Sequence, residues 1–199
     1  MAYPTVDAPY GLRPVNLIGG QVFAGSTRQM KIASNYGTNI FYGDVVKYAS
    51  DGTLELDNGT TTATPIGVFL GCTFTDPSTS QLTFRQYYPA STVASDIMAY
   101  VCDDPDALFR VAAVSGTTTV AGYGRTVVNN NMSLVQNTGS TVTGNSKVAV
   151  LGSSAATTAT LPIRVVDVVP DTATASDTFV EFIVKFNFGD HQYYNATGV

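Results

Sequence analysis

Residues 97–114, IMAYVCDDPDALFRVAAV, constrain the fold more than any other stretch of this chain. Two apolar runs flank a turn. Ile97, Ala99 and Val101 alternate with Met98, Tyr100 and Cys102; Leu108, Arg110, Ala112 and Val114 alternate with Phe109, Val111 and Ala113. A two-residue period puts each set on one face of a strand. Between the runs lies Asp103-Asp104-Pro105-Asp106. Proline holds φ at about −65°, which suits the second position of a type I turn, and the aspartate before it accepts bonds from turn N–H groups. The pattern predicts a β-hairpin with both faces apolar, at the centre of a core.

Similar signals recur along the chain. Residues 39–48, NIFYGDVVKY, read as a strand bent or bulged at Gly43-Asp44. Asp51-Gly52 is a turn signal, followed by the alternating Thr53, Leu54, Glu55 and Leu56. Residues 65–74, PIGVFLGCTF, form a near-continuous apolar strand whose glycines imply curvature or a close backbone neighbour. Residues 82–88 alternate again, and Pro89 ends them. Residues 161–169 and 179–188 are two strong closing strands. In the second, Val180, Phe182, Val184, Phe186 and Phe188 share one face. Helix signals are nearly absent. The expected fold is all-β, a compact barrel or sandwich of antiparallel strands with very little helix.

Three regions depart from this cadence. Residues 1–20 carry Pro4, Pro9 and Pro14 with no periodicity. Proline at that spacing forbids helix and removes ladder donors, so an extended N-terminal arm is expected. It lies either back over its own domain or on a neighbouring protein. Residues 21–190 form one β domain, in which 115–160, rich in Asn, Gly, Ser and Thr, read as a loop-rich excursion. Residues 191–199 read as an exposed C-terminal tail.

At 199 residues the chain can bury roughly 70% of its unfolded surface. Charged residues are 13%, against about 25% on average. A folded β protein with a neutral, hydroxyl-rich surface suits a component of a lattice better than a freely diffusing enzyme. The net charge is −5, and Lys and Arg never cluster. That disfavours nucleic acid, which demands clustered positive charge. No apolar stretch approaches the roughly 20 residues of a membrane span. The N-terminal MAYPTVDAPYG lacks the basic and apolar regions of a secretion signal. Three Asn-X-Ser/Thr matches, at Asn58, Asn131 and Asn195, are therefore taken as coincidental.

Chemistry-bearing patterns are sparse. His191 is the sole histidine and reads as a solvated or interface residue of the tail. A nucleophilic triad would need it buried and oriented. Cys72 and Cys102 lie inside apolar runs and read as buried, reduced thiols. Neither a zinc pattern nor a phosphate loop is present. No cofactor, metal or catalytic residue is expected.

The succession APYGLRPVNLIGG, NIFYGDVVKY, IGVFLGCTFTD, QYYPAS and DIMAYVCDDPDALFRV resembles a family of small tailed-phage virion proteins, the capsid decoration or cement proteins. The likeness spans residues 8–114 and continues loosely to FVEFIVKFN; residues 115–160 match no motif. The resemblance implies a non-enzymatic structural protein on the outer surface of the virion. It would bind an icosahedral capsid and bridge neighbouring subunits of the major capsid protein, as a homo-oligomeric dimer or trimer. The arm would supply the partner contacts: Tyr3, Pro4, Tyr10, Gly11, Leu12, Arg13, Pro14 and Leu17, with Arg13 meeting a capsid carboxylate. His191, Tyr193 and Tyr194 are candidate contacts in the tail. The alternatives are another virion component (a tail-tube, spike or head-fibre subunit) or a glycan-binding β module that stacks sugars on Tyr87, Tyr88, Tyr193 and Tyr194.

Overall fold

The computed structural model describes residues 9–117, 123–172, 180–187 and 191. Its strands are β1 (Arg13–Leu17), β2 (Arg28–Lys31), β3 (Val45–Tyr48), β4 (Leu54–Leu56), β5 (Gly67–Thr75), β6 (Leu82–Arg85) and β7 (Met98–Cys102). They continue with β8 (Ala107–Val114), β9 (Asn131–Met132), β10 (Leu134–Val135), β11 (Ala149–Leu151), β12 (Ile163–Val168) and β13 (Glu181–Phe186). Helix among the described residues is confined to short 3₁₀ turns such as Arg125–Val127. The all-β expectation holds.

The strands form two sheets. One runs β2-β7-β5-β3-β4, with β6 also paired to β5. It curls nearly into a barrel, because a parallel bridge from Ile32 to Leu54 brings its two ends together. The other runs β10-β11-β8-β13-β12-β9, with β1 also paired to β8. Apart from isolated bridges, strand pairing is antiparallel except between β11 and β8.

Two cores follow from alternation. Val46, Phe69, Cys72, Phe74, Ala99 and Val101 point into the barrel with Ile32, Ile40, Leu54 and Tyr88. Their neighbours Val45, Val68 and Cys102 point the other way, into the core of the second sheet with Phe109, Val165, Phe182 and Phe186. Strands β5 and β7 are thus buried on both faces over most of their length, which is why their sequences are nearly continuously apolar, and β3 shares this at Val45 and Val46. Gly67 lies so close to β7 that a Cβ would stand 2.4 Å from the Cys102 carbonyl oxygen. Gly71, at φ +138°, marks a register shift in the β5–β7 ladder. Each glycine in this strand thus meets one of the two expectations, close approach and curvature.

The hairpin expected over residues 97–114 is corrected. Strand β7 pairs with β2 and β5 in the barrel, whereas β8 pairs with β1, β11 and β13 in the other sheet. The turn at 103–106 does form: the Asp106 N–H donates to Asp104 Oδ1 at 2.8 Å, and the Ala107 N–H to the Asp104 carbonyl at 3.1 Å. It is a corner between sheets. Both edges of β7 are already occupied, so β8 has no place beside it.

One further expectation changes. Within 115–160, the described residues include buried core positions: Met132, Leu134, Val148 and Val150. In this region β9 pairs with β12, β11 with β8 and β10 with β11, so it contributes to the second core. The N-terminal segment, over its described residues, lies back over its own domain, the first of the two alternatives left open by the sequence. Strand β1 pairs antiparallel with β8, from Arg13 opposite Arg110 to Leu17 opposite Ala107. Pro14 is tolerated because β1 lies at the sheet margin, where a missing donor costs no central ladder bond.

Candidate partner surface around Arg13

Strand β1 and the residues before it hold the candidates from the sequence. Their environments divide them. Leu12 has no accessible surface and belongs to the core of the second sheet. Its N–H donates to the Gly43 carbonyl at 2.9 Å, and the Gly11 N–H to the Val148 carbonyl at 3.1 Å. Gly11 and Leu12 are therefore corrected from partner contacts to internal packing. Leu17 is half-buried against the same core, and Pro14 is half-buried. Tyr3 and Pro4 lie outside the described residues.

Gly11 is what lets this segment dock. Its φ is +81°, and a Cβ would stand 2.6 Å from Ser146 Cβ and 2.7 Å from the Gly43 carbonyl oxygen. Gly11→Ala combines a strained backbone with a clash. It is expected to cost about 2 kcal/mol or more, read as a lower midpoint in urea unfolding. An unchanged midpoint would mean that the segment contributes nothing to the fold.

Tyr10 and Arg13 remain at the surface as a built cluster. The Tyr10 hydroxyl donates to Glu181 Oε1 at 2.6 Å, and Arg110 Nε donates to Glu181 Oε2 at 2.7 Å. Burial, reinforced by the Glu181 carboxylate, pushes the Tyr10 phenol far up, so it stays a donor at all ordinary pH. The Arg13 guanidinium lies 4.1 Å from the centroid of the Tyr42 ring and 5.9 Å from that of Tyr10. Its Nη2 donates to Asn145 Oδ1 at 2.9 Å, and Gln86 Nε2 donates to the same oxygen at 2.7 Å. Stacking and one amide thus orient the guanidinium while leaving most of its five donors available.

Arg13 differs in its electrostatics from most described arginines. Arg28, Arg85, Arg110 and Arg125 each pair with a carboxylate. Among the described residues Arg13 and Arg164 pair with none, and Arg164 donates to Asn131 Oδ1 at 2.9 Å. Desolvation lowers the Arg13 pKa, yet arginine remains charged at any physiological pH. Val15 on the same strand, and Ile18 and Val22 after its end, are 36%, 54% and 77% exposed. The result is an oriented cation with no described carboxylate partner, in a segment that also exposes apolar side chains. Tyr42, Gln86 and Asn145 are essential to it, and no local sequence signal marks them, because they reach Arg13 only through the fold.

The tail candidates fare differently. His191 is corrected from an exposed residue to a fully buried one. Its N–H donates to the Pro65 carbonyl at 2.8 Å, and Nδ1 lies 2.7 Å from the Ile66 carbonyl oxygen as its donor. The ring packs edge-on against Phe186 and Phe109, at 4.8 and 6.5 Å between centroids. Nε2 has no hydrogen-bond partner, and burial lowers the pKa. The nitrogen that a catalytic carboxylate would hold is bonded to a backbone carbonyl instead. The tail lacked an apolar anchor in sequence terms; the histidine ring itself is the anchor. Tyr193 and Tyr194 lie outside the described residues. Of the tyrosines proposed to stack sugars, Tyr88 is fully buried and Tyr87 stacks on Phe41.

Cys72 and Cys102 are free and buried, and burial pushes both thiols up to about 12. Among the described residues no group of three or more His, Cys, Asp or Glu side chains could hold a metal ion. No helix among them is long and apolar enough to cross a membrane. Comparison with known proteins finds no matching family model, no matching curated protein and no matching solved structure.

Proposed function

We propose that this chain is a capsid decoration protein, a structural and non-catalytic component of the outer surface of a phage virion. It binds the assembled icosahedral shell as a symmetric homo-oligomer and bridges neighbouring subunits of the major capsid protein. The observation that carries this reading is Arg13, stacked on Tyr42, tied to Asn145 and unpaired with any described carboxylate, in a segment that also exposes Val15, Ile18 and Val22. A capsid carboxylate would complete the guanidinium fork, and these apolar side chains would exclude water from the contact. A sequence with only 13% charged residues is in keeping with a lattice component. Several weak contacts per oligomer add to tight binding when all engage one shell.

Co-sedimentation with empty shells of the parent virus tests this. The wild type is expected to bind at several copies per capsomer-sized area, to saturation. Arg13→Ala removes a charge-assisted contact and is expected to weaken binding by about 10- to 100-fold per site, with the melting temperature nearly unchanged. Absence of wild-type binding at micromolar concentration would overturn the reading. A few copies confined to one vertex would favour a tail, spike or fibre subunit.

A further inference from the structure

A cleft of about 240 Å³ opens where residues 38–44, the end of β4 and residues 136–139 meet. Its apolar walls are Phe41 and Leu56, and its polar lining includes Asp44, Asn39, Gln136 and Asn137. Asp44 is only 3% exposed. Its Oδ2 accepts the Phe41 N–H at 2.7 Å, and it also accepts from Ser146. No described cation pairs with it.

The two amides beside it are fixed by the backbone. Gln136 Nε2 donates to the Gly59 carbonyl at 2.8 Å. Asn137 Nδ2 donates to the carbonyls of Thr117 and Lys147, at 2.6 and 3.0 Å. Both N–H groups of Asn137 are thus spent, and Oδ1 is the polar atom left to it. Gln136 likewise keeps Oε1. The lining offers a desolvated carboxylate and two unspent amide oxygens between two apolar walls. Asn39 uses Oδ1 to accept the Ala90 N–H, which leaves its amine as the donor on the rim.

We infer that this cleft binds an alkylammonium group, with the –NH₃⁺ directed at Asp44, Gln136 Oε1 and Asn137 Oδ1 and the methylene stem along Phe41 and Leu56. An ammonium has three donors and no acceptor, which matches three acceptor groups. It also neutralises a buried carboxylate, which a neutral polyol of the same size would leave uncompensated. The group can come from a lysine side chain of a partner protein or from a free amine. The inference does not rest on the decoration reading, since the cleft and Asp44 stand apart from Arg13 and its partners.

The neighbouring charges are those around Asp57, a second buried carboxylate between Leu56 and Asn58. Asp57 is bonded by the Gly59 and Thr64 N–H groups, both at 2.8 Å, and faces the Lys47–Glu55 ion pair. Burial raises the Asp57 carboxyl too, against the pull of these hydrogen bonds and Lys47, but Asp57 does not line the cleft; the titrating group in the lining is Asp44, which burial raises to about 6.

The test is titration of the whole chain with n-butylammonium, followed by ¹³C NMR of the aspartate carboxyls, with n-butanol and glucose as neutral controls. Saturable binding at pH 7 is expected, about tenfold weaker at pH 5, where Asp44 is protonated. Saturating amine is expected to lower the Asp44 titration midpoint, and Asp44→Asn to abolish binding. The midpoint in the wild type keeps the test valid even where that variant folds poorly. Absence of saturable binding up to tens of millimolar, equal binding of n-butanol or glucose, or an unmoved midpoint would overturn the inference. Where amine binding is present, the shell assay separates the two sources. Loss of shell binding in Asp44→Asn with Arg13 intact points to a partner's lysine; unchanged shell binding points to a free amine.

Discussion

Phe109→Ala is expected to lower the stability of this protein by about 3–5 kcal/mol, the range for truncating a buried aromatic residue. The ring has no accessible surface and lies 5.3 Å from the Phe186 ring, centroid to centroid. It also forms one wall around the His191 imidazole. Its strand, β8, pairs with β1, β11 and β13, so the cavity would open beneath the strand on which the second sheet is assembled. For a chain of this size the loss corresponds to a fall in melting temperature of roughly 6–20 °C. The natural control is Phe84→Ala, at a residue 64% exposed on the outer face of the barrel, which should cost well under half as much. Urea unfolding of both variants decides the matter. A cost below about 1 kcal/mol for Phe109→Ala would mean that the second core closes over the gap and is looser than its packing suggests.

The second large effect concerns acid. Burial raises the Asp44 carboxyl from 3.8 to about 6. A carboxyl whose folded pKa lies above its unfolded one binds a proton more tightly when native. Its burial therefore costs stability at neutral pH, and that cost is relieved as pH falls from above 6 to below 3.8. The full relief is about 3 kcal/mol for a shift of this size, of which about 2.5 is gained by pH 4. His191 acts in the opposite sense. Its folded pKa is lowered by burial, so the unfolded chain takes up a proton first as pH drops below 6.5, and the native state loses stability there. The two must be separated. In the difference between wild type and Asp44→Asn the histidine contribution cancels. That difference should move by about 2.5 kcal/mol in favour of the wild type between pH 7 and pH 4. A difference that stays constant with pH would mean that Asp44 is as well solvated as a surface aspartate.

Both effects arise from residues whose surroundings the sequence reveals only in part. Alternation assigned faces correctly in β13, where Phe182, Val184 and Phe186 are buried and Glu181, Ile183 and Lys185 are half-exposed. It also marked β5 and β7 as strands with two apolar faces, and each now separates two cores. Alternation is local physics: a pleated strand presents successive side chains to opposite sides whatever it pairs with. Turn chemistry is local too, and the aspartates around Pro105 made their turn. The acid inside NIFYGDVVKY was a further local signal, a charge interrupting an apolar run, although its reading as a bend left out the cleft.

Partner choice is decided by the whole chain. The turn at 103–106 joins two sheets because β2 and β5 flank β7 and leave it no free edge. The N-terminal prolines ruled out helix, but only the vacant margin of β8 made β1 a strand. His191 reads as exposed from the polar residues next to it in sequence; its neighbours in space are Phe109, Phe186 and the Ile66 carbonyl. Arg13 was legible as a candidate from its charge alone, while the stack on Tyr42 and the tie to Asn145 that orient it join residues far apart in the chain. The sequence by itself thus determined the all-β class, the position of most long strands and the face each side chain takes, because those follow from a two-residue period and local turns. Tertiary structure decided which strands pair, where the chain crosses between sheets and which polar groups are buried, because edges and cavities are shared by segments that only the folded chain brings together.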